Sequence, residues 1–237
     1  MKFLDQIRGL TQTIHLTKDP SELFREIIGY EEVKKAFNLF LSSQKNINVL
    51  LDGPPGCSKT LFLLAILKHC KDVFFVDGSN ASGPGMFDEL LTSKQNTKYL
   101  LIDEIDGLSK KDQKALLNLF ETGMLVSVKV RKQARKEFKN LKVFATCNNT
   151  EKLSNALMSR FFRLSLREYS ETEFIDIAKK LYLKKDQELI EYIAKAVWHV
   201  LGSKDIRDFQ KIADHSDNST DADMLIELQL KYSKKKD

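Results

Sequence analysis

The residues with the most chemistry in them are Gly53, Pro54, Pro55, Gly56, Cys57, Ser58, Lys59 and Thr60, eight in succession. They follow an apolar run, Ile47–Leu51, and open a segment with helical character, 60–69. Glycines let such a loop curl so that successive backbone N–H groups point inward at phosphate oxygens. The helix start adds partial positive charge at the same place. Lys59 can reach the outer phosphates of a nucleoside triphosphate and Thr60 can offer its hydroxyl to Mg²⁺, with Leu61 next along the helix. One position departs from the usual pattern. Ser58 stands where glycine normally precedes the lysine, which predicts a slightly reshaped loop.

A second constellation lies some forty residues on. Tyr99-Leu100-Leu101-Ile102 is an apolar run that ends in Asp103 and Glu104. An aspartate at the end of a buried strand beside a phosphate loop can hold Mg²⁺. Side chains alternate along a strand, so the alternation predicts that Glu104 faces the other way and can polarise a water molecule as general base.

These residues need a scaffold, and the remaining pattern supplies one. Five short runs, 47–51, 73–76, 99–102, 142–145 and 161–164, are rich in β-branched and aromatic residues and lack polar alternation, as strands buried on both faces do. Helical spacing lies between several of them, at 31–40, 60–69 and 111–121. The alternation predicts an α/β fold with a parallel five-stranded sheet and helices on both faces. From about residue 169 strand signals stop. Ser170-Glu171-Thr172-Glu173 reads as a capping box, and about four helices follow as a small helical lid. The expected organisation is a leader over 1–26, a core over 27–168 and the lid over 169–237.

Composition closes off other classes. The chain has 237 residues, 42% of them hydrophobic and 30% charged, so wholesale disorder is excluded. Its three cysteines are too few, and odd in number, for a disulfide framework, which fits a reducing, cytoplasmic setting. The four histidines show no metal spacing, no apolar stretch has the length of a membrane span, and Met1–Asp5 begins no secretory signal. The net charge of +5 permits a nucleic-acid partner without demanding one. No Asn-Lys-x-Asp guanine motif is present. Cys57, inside the loop, is either an inert small side chain or a site whose oxidation blocks nucleotide binding.

Together these residues resemble the AAA+ ATPases, over nearly the whole chain from Ile27-Ile28-Gly29-Tyr30 onward. The resemblance is to the RuvB-like, MoxR-like and minichromosome-maintenance-like branch. Gly56–Lys59, the stretch from Phe120-Glu121-Thr122-Gly123 to Val128, and Leu157-Met158-Ser159-Arg160-Phe161 carry it. It implies ATP and Mg²⁺ as ligands, packing of Ile28 and Gly29 on adenine, Asn148 as the sensor that orients the attacking water, and Arg160 as an arginine finger acting on a neighbouring subunit's ATP, with Arg163 a competitor. It also implies Arg207 as the lid's sensor arginine, with Lys204 a competitor, and a ring, commonly a hexamer. RuvB-type motors carry a further winged-helix DNA-binding domain, for which these residues leave no room, and MoxR-like proteins act on protein through a partner.

Two segments bear on what the molecule acts upon. Between 126 and 142 lie Lys129, Arg131, Lys132, Arg135, Lys136, Lys139 and Lys142 against a single acid, Glu137. In the resembled branch this stretch is a hairpin near the central channel. A basic hairpin there can track a DNA backbone, or it can be a solvated face or dock on an acidic neighbour. Gly83-Pro84-Gly85-Met86-Phe87 is either a second substrate loop or the start of a helix packed into the core. The function expected from all this is an ATP-driven ring motor on DNA. A MoxR-like protein-remodelling ATPase is the alternative, and a non-hydrolysing assembly switch a third.

Overall fold

In a computed structural model, which describes residues 22–80, 83–93, 96–129 and 132–232, the five apolar runs form one parallel sheet. Seven strands are present among the described residues: β1 (Ile47–Asp52), β2 (Val73–Asp77), β3 (Tyr99–Asp103), β4 (Met124–Lys129), β5 (Lys132–Glu137), β6 (Lys142–Cys147) and β7 (Phe162–Ser165). The sheet order is β2-β3-β6-β1-β7, all neighbours parallel. β4 and β5 form a separate antiparallel hairpin.

The lack of polar alternation has a direct cause. Adjacent strand residues point to opposite faces, and both faces are covered. Val49, Leu51, Leu101 and Phe144 pack with Phe37 of α1 (Glu31–Ser42) and Phe62, Leu63 and Ile66 of α2 (Lys59–His69). Leu50, Leu100, Ile102, Val143 and Ala145 point the other way. They meet Phe87 and Leu90 of α3 (Gly83–Thr92), Leu116 and Leu119 of α4 (Lys110–Thr122) and Leu157 of α5 (Asn155–Met158).

Among the described residues four helices follow the sheet: α6 (Glu171–Leu181), α7 (Gln187–His199), α8 (Ile206–Ala213) and α9 (Ser219–Tyr232). They close around their own core of Phe174, Ile190, Ile193, Val197, Phe209, Ile212 and Ile226. The capping box at the head of α6 is formed, Ser170 and Glu173 each bonding the other's backbone N–H. No described helix is long and apolar enough to cross a membrane.

Of the two expectations for Gly83–Phe87, the packed helix is the one found: α3 starts at Gly83, and Phe87 is buried in the core on the sheet-facing side of that helix. The expectation for the hairpin stretch needs correction. Two of the seven basic residues of the hairpin stretch do not belong to a solvated charged face. Lys142 is buried and donates to the carbonyls of Leu41 and Ser43, where α1 ends; burial lowers its pKa. Lys136 is half-buried and donates to the carbonyls of Leu90 and Ser93 at the end of α3, and burial lowers its pKa too. The last carbonyls of a helix have no partner within it, and a lysine from outside satisfies them. Arg135 is exposed. Arg131 and the side chains of Lys129 and Lys132 lie outside the described residues, as do 1–21 of the expected leader.

Candidate functional site

The loop Gly53–Ser58 caps the carboxyl end of β1 and turns into α2. Gly53 and Gly56 have φ of 151° and 83°, values that side chains resist. A Cβ on Gly53 would meet the Leu166 carbonyl oxygen at 2.5 Å. One on Gly56 would meet Asp205, the N-cap of α8, at 3.1–3.2 Å. The loop is therefore squeezed between the sheet edge and the helical region. Ser58 adopts φ 63° and ψ 17°, the left-handed backbone that glycine would take here. For a residue with a Cβ that costs about 1–2 kcal/mol. The Ser58 hydroxyl accepts a hydrogen bond from the Tyr169 hydroxyl, 2.6 Å away.

Lys59 is buried, its ammonium donating to the carbonyls of Gly53 at 2.6 Å and Pro54 at 2.7 Å. It thus lies folded along the loop whose ligand it would bind. The Cys57 thiol is buried and donates to the Pro54 carbonyl, and burial raises its pKa. Pro55 and Leu61 are both exposed. Ile28 and Gly29 lie half-buried at the edge of the helical region, where a Cβ on Gly29 would stand 2.6 Å from Glu173 Oε1.

Thr60 and Asp103 meet as their spacing suggested. The Thr60 hydroxyl donates to both carboxylate oxygens, at 3.0 and 3.1 Å. Thr146 of β6 donates to the same carboxylate at 2.5 Å. Glu104 is placed otherwise than the alternation argument had it. β3 ends at Asp103, and Glu104 has φ 51° at the head of a short turn, so a left-handed kink rather than strand pleat separates the two carboxylates. Its N–H donates to Thr146 Oγ1 and its Oε1 accepts from Asn148 Nδ2 at 3.4 Å. Asp106 fixes Asn148 and Asn149 by accepting from both backbone N–H groups.

Arg207, just inside α8, grips Asp205 through Nε and Nη2. That hydrogen bond leads the rise in its pKa, and its partner Asp205 is the residue that lies against Gly56 of the loop. Lys204 points elsewhere, its ammonium on Glu168 at 2.5 Å. Arg160 is not brought to this chain's own loop. Asn48, near the start of β1, donates to its carbonyl, and the five residues to Gly53 span about 16 Å. Its guanidinium instead pairs with Glu121 at 2.6 Å, beside a cavity of about 480 Å³ lined by Asn46, Asn48, Phe120 and Phe161. Arg163 reaches along its strand toward Asp52 at 3.4 Å.

The donor set suits Mg²⁺: a hydroxyl and one carboxylate, hard oxygens beside a phosphate cradle, with no cluster of three metal-binding side chains among the described residues. Thr146, Asp106, Tyr169 and Asp205 were missed by sequence reasoning. Thr146 had a signal, a polar residue in a strand buried along its full length. Tyr169 had none, because 111 residues separate it from Ser58.

Comparison with known proteins fits this geometry. Residues 49–169, half of the chain, match the family described as "ATPase family associated with various cellular activities (AAA)". The Holliday junction branch migration complex subunit RuvB of Pseudothermotoga lettingae is 29% identical over 210 residues, covering 83% of this chain and 60% of that protein. The replication factor C large subunit of Methanococcus maripaludis is 26% identical over 185 residues, 73% of this chain and 36% of that one. The chain thus spans less than two thirds of the length of these curated relatives. Among solved structures, the Thermotoga maritima RuvB Holliday junction branch migration motor is similar with a TM-score of 0.63 and 24% identity, over 85% of this chain and 70% of that one. A variant of the same protein reaches 0.66, over 90% and 73%. Likeness at that identity speaks for the fold.

Proposed function

The chain belongs to the AAA family of ATPases, and from that membership we propose that it is an Mg²⁺-dependent ATP hydrolase working as a ring motor on DNA. The observation that carries the reading is the convergence of Lys59, Thr60, Asp103, Glu104 and Asn148 at the carboxyl edge of one sheet.

On this reading residues 27–168 form the catalytic core and 169–237 the lid, with 1–26 a leader. The loop amides and Lys59 hold the phosphates of ATP, Lys59 exchanging its two loop carbonyls for phosphate oxygens. Thr60 and Asp103 hold Mg²⁺, which when bound neutralises charge on the outer phosphates. Thr146 orients the Asp103 carboxylate. Glu104 takes a proton from the attacking water and Asn148 fixes both the carboxylate and that water. Arg207 brings the lid onto the phosphates. Arg160 lies by the start of β1 and pairs with Glu121, away from its own loop, which supports a role at a neighbour's site in a ring, with a hexamer the favoured form. Arg163 leans toward Asp52 and is the weaker candidate for that role.

Support for DNA comes from the similarity to RuvB and from the hairpin, whose basic stretch remains outward-facing at Arg135 even with Lys136 and Lys142 turned inward. The deciding measurement is ATP turnover with single-stranded DNA, duplex DNA, RNA or unfolded protein. Stimulation by DNA that disappears when Lys129, Arg131 and Lys132 are changed to Glu supports the reading. Stimulation by unfolded protein alone would replace it with a protein-remodelling ATPase.

A further inference from the structure

Ser58 holds a backbone conformation suited to glycine, at a cost that a partner outside the loop can offset. Tyr169 is the partner on hand. Its hydroxyl donates to Ser58 Oγ at 2.6 Å, and the residue is buried. The tyrosine is fixed from several sides. The Tyr30 ring lies against it with centroids 5.2 Å apart, and the Tyr30 hydroxyl donates to the Arg167 carbonyl at 2.7 Å. The Arg167 guanidinium makes two bonds of 2.7 Å to Glu173, the carboxylate that closes the capping box of α6. Residues 167–173 are the passage from the sheet to the helical region. The hydroxyl that engages Ser58 is therefore carried by the segment from which that region departs.

Ser58 in turn sits where its backbone matters most. Its carbonyl accepts from Leu61 and Phe62 in the first turn of α2, and its N–H belongs to the loop. Swinging it out of the left-handed region would turn the peptide planes on both sides of it, and with them the loop amides and the base of Lys59.

We propose that Ser58 and Tyr169 form a hydroxyl latch that takes the place of the missing glycine, holding the phosphate loop in its nucleotide-accepting shape and tying nucleotide affinity to the position of the helical region. The latch rests on the ATP-binding reading of the loop. Tyr169 is a positioning residue: it acts on phosphate through Ser58. A glycine at that position would need no partner, because it adopts a left-handed backbone unaided.

The test is a cycle of four proteins: the wild type, Tyr169→Phe, Ser58→Gly, and both changes together. ATP binding with Mg²⁺ is measured by calorimetry alongside KM and kcat. Tyr169→Phe should weaken ATP binding about fivefold when Ser58 is present, the worth of one hydrogen bond, and raise KM more than it lowers kcat. In the Ser58→Gly background the same change should cost much less. A second comparison covers poor folding of the tyrosine variant: Ser58→Ala, which keeps the Cβ and loses the acceptor, should weaken binding more than Ser58→Gly does. An equal cost of Tyr169→Phe in both backgrounds, or equal effects of Ala and Gly at position 58, overturns the latch while the wild type still binds ATP. A wild-type chain that binds no ATP overturns the ATP-binding reading itself.

Discussion

The side-chain amide of Asn148 donates to Oε1 of Glu104 across 3.4 Å, and two residues earlier Thr146 donates to Asp103. The end of β6 thus supplies each of two neighbouring carboxylates with its own donor. The two acids have separate partners, and a left-handed kink lies between them.

Glu104→Gln should keep ATP binding and lose turnover. Removing a general base costs about 10²- to 10⁴-fold in rate, while the amide keeps the shape of the side chain. Calorimetry gives the affinity and phosphate release gives kcat. A near wild-type kcat would remove Glu104 from the role of base.

Arg160 should act between chains. Arg160→Ala alone and Lys59→Ala alone should each lose most turnover, the former by about 10³-fold or more. Mixed, they should recover activity, because the first chain keeps an intact loop and the second supplies the arginine. Turnover of the mixture no higher than the sum of its parts would place the arginine elsewhere.

Glu173 should give the molecule a defined acid sensitivity. Its hydrogen bonds from Arg167, joined by those from Ser170, hold its carboxyl at about 2, against an ordinary value of 4.5. A depressed carboxylate contributes stability that is fully present above the unfolded-state value and lost as pH falls through the folded one. Glu173→Gln should therefore be less stable than wild type at pH 7, by about 0.5–2 kcal/mol as for other lost caps. The gap should narrow between pH 4.5 and 2. Denaturant titrations of both proteins across that range measure it, and a gap independent of pH would show that Glu173 is not held this way.

Much of the fold was legible because its signals are local. Strands covered on both faces must be apolar at consecutive positions, and 47–51, 99–102 and 142–145 are. The capping box of Ser170 and Glu173 is a three-residue relation that any reader of the sequence can find. Thr60 and Asp103 were paired in advance because each closes a strand–turn unit with a recognisable pattern. The alternation argument for Glu104 failed because it extended β3 one residue past its end, and a kink is not written in side-chain types. The charge count over the hairpin stretch failed at Lys136 and Lys142 because a lysine that satisfies the last carbonyls of a distant helix looks no different in sequence from one in water.

The sequence by itself determined the phosphate loop, the buried strands, the acid pair and the run of helices after them, since each depends on residues within one or two turns of each other. Tertiary structure alone decided that Tyr169 reaches Ser58, that Asp205 lies over Gly56, and that Arg160 stands at the edge of the sheet away from its own loop. Those relations join residues about 110 to 150 apart in the chain, and they arise only when the packing of both faces of the sheet fixes where each strand and helix ends.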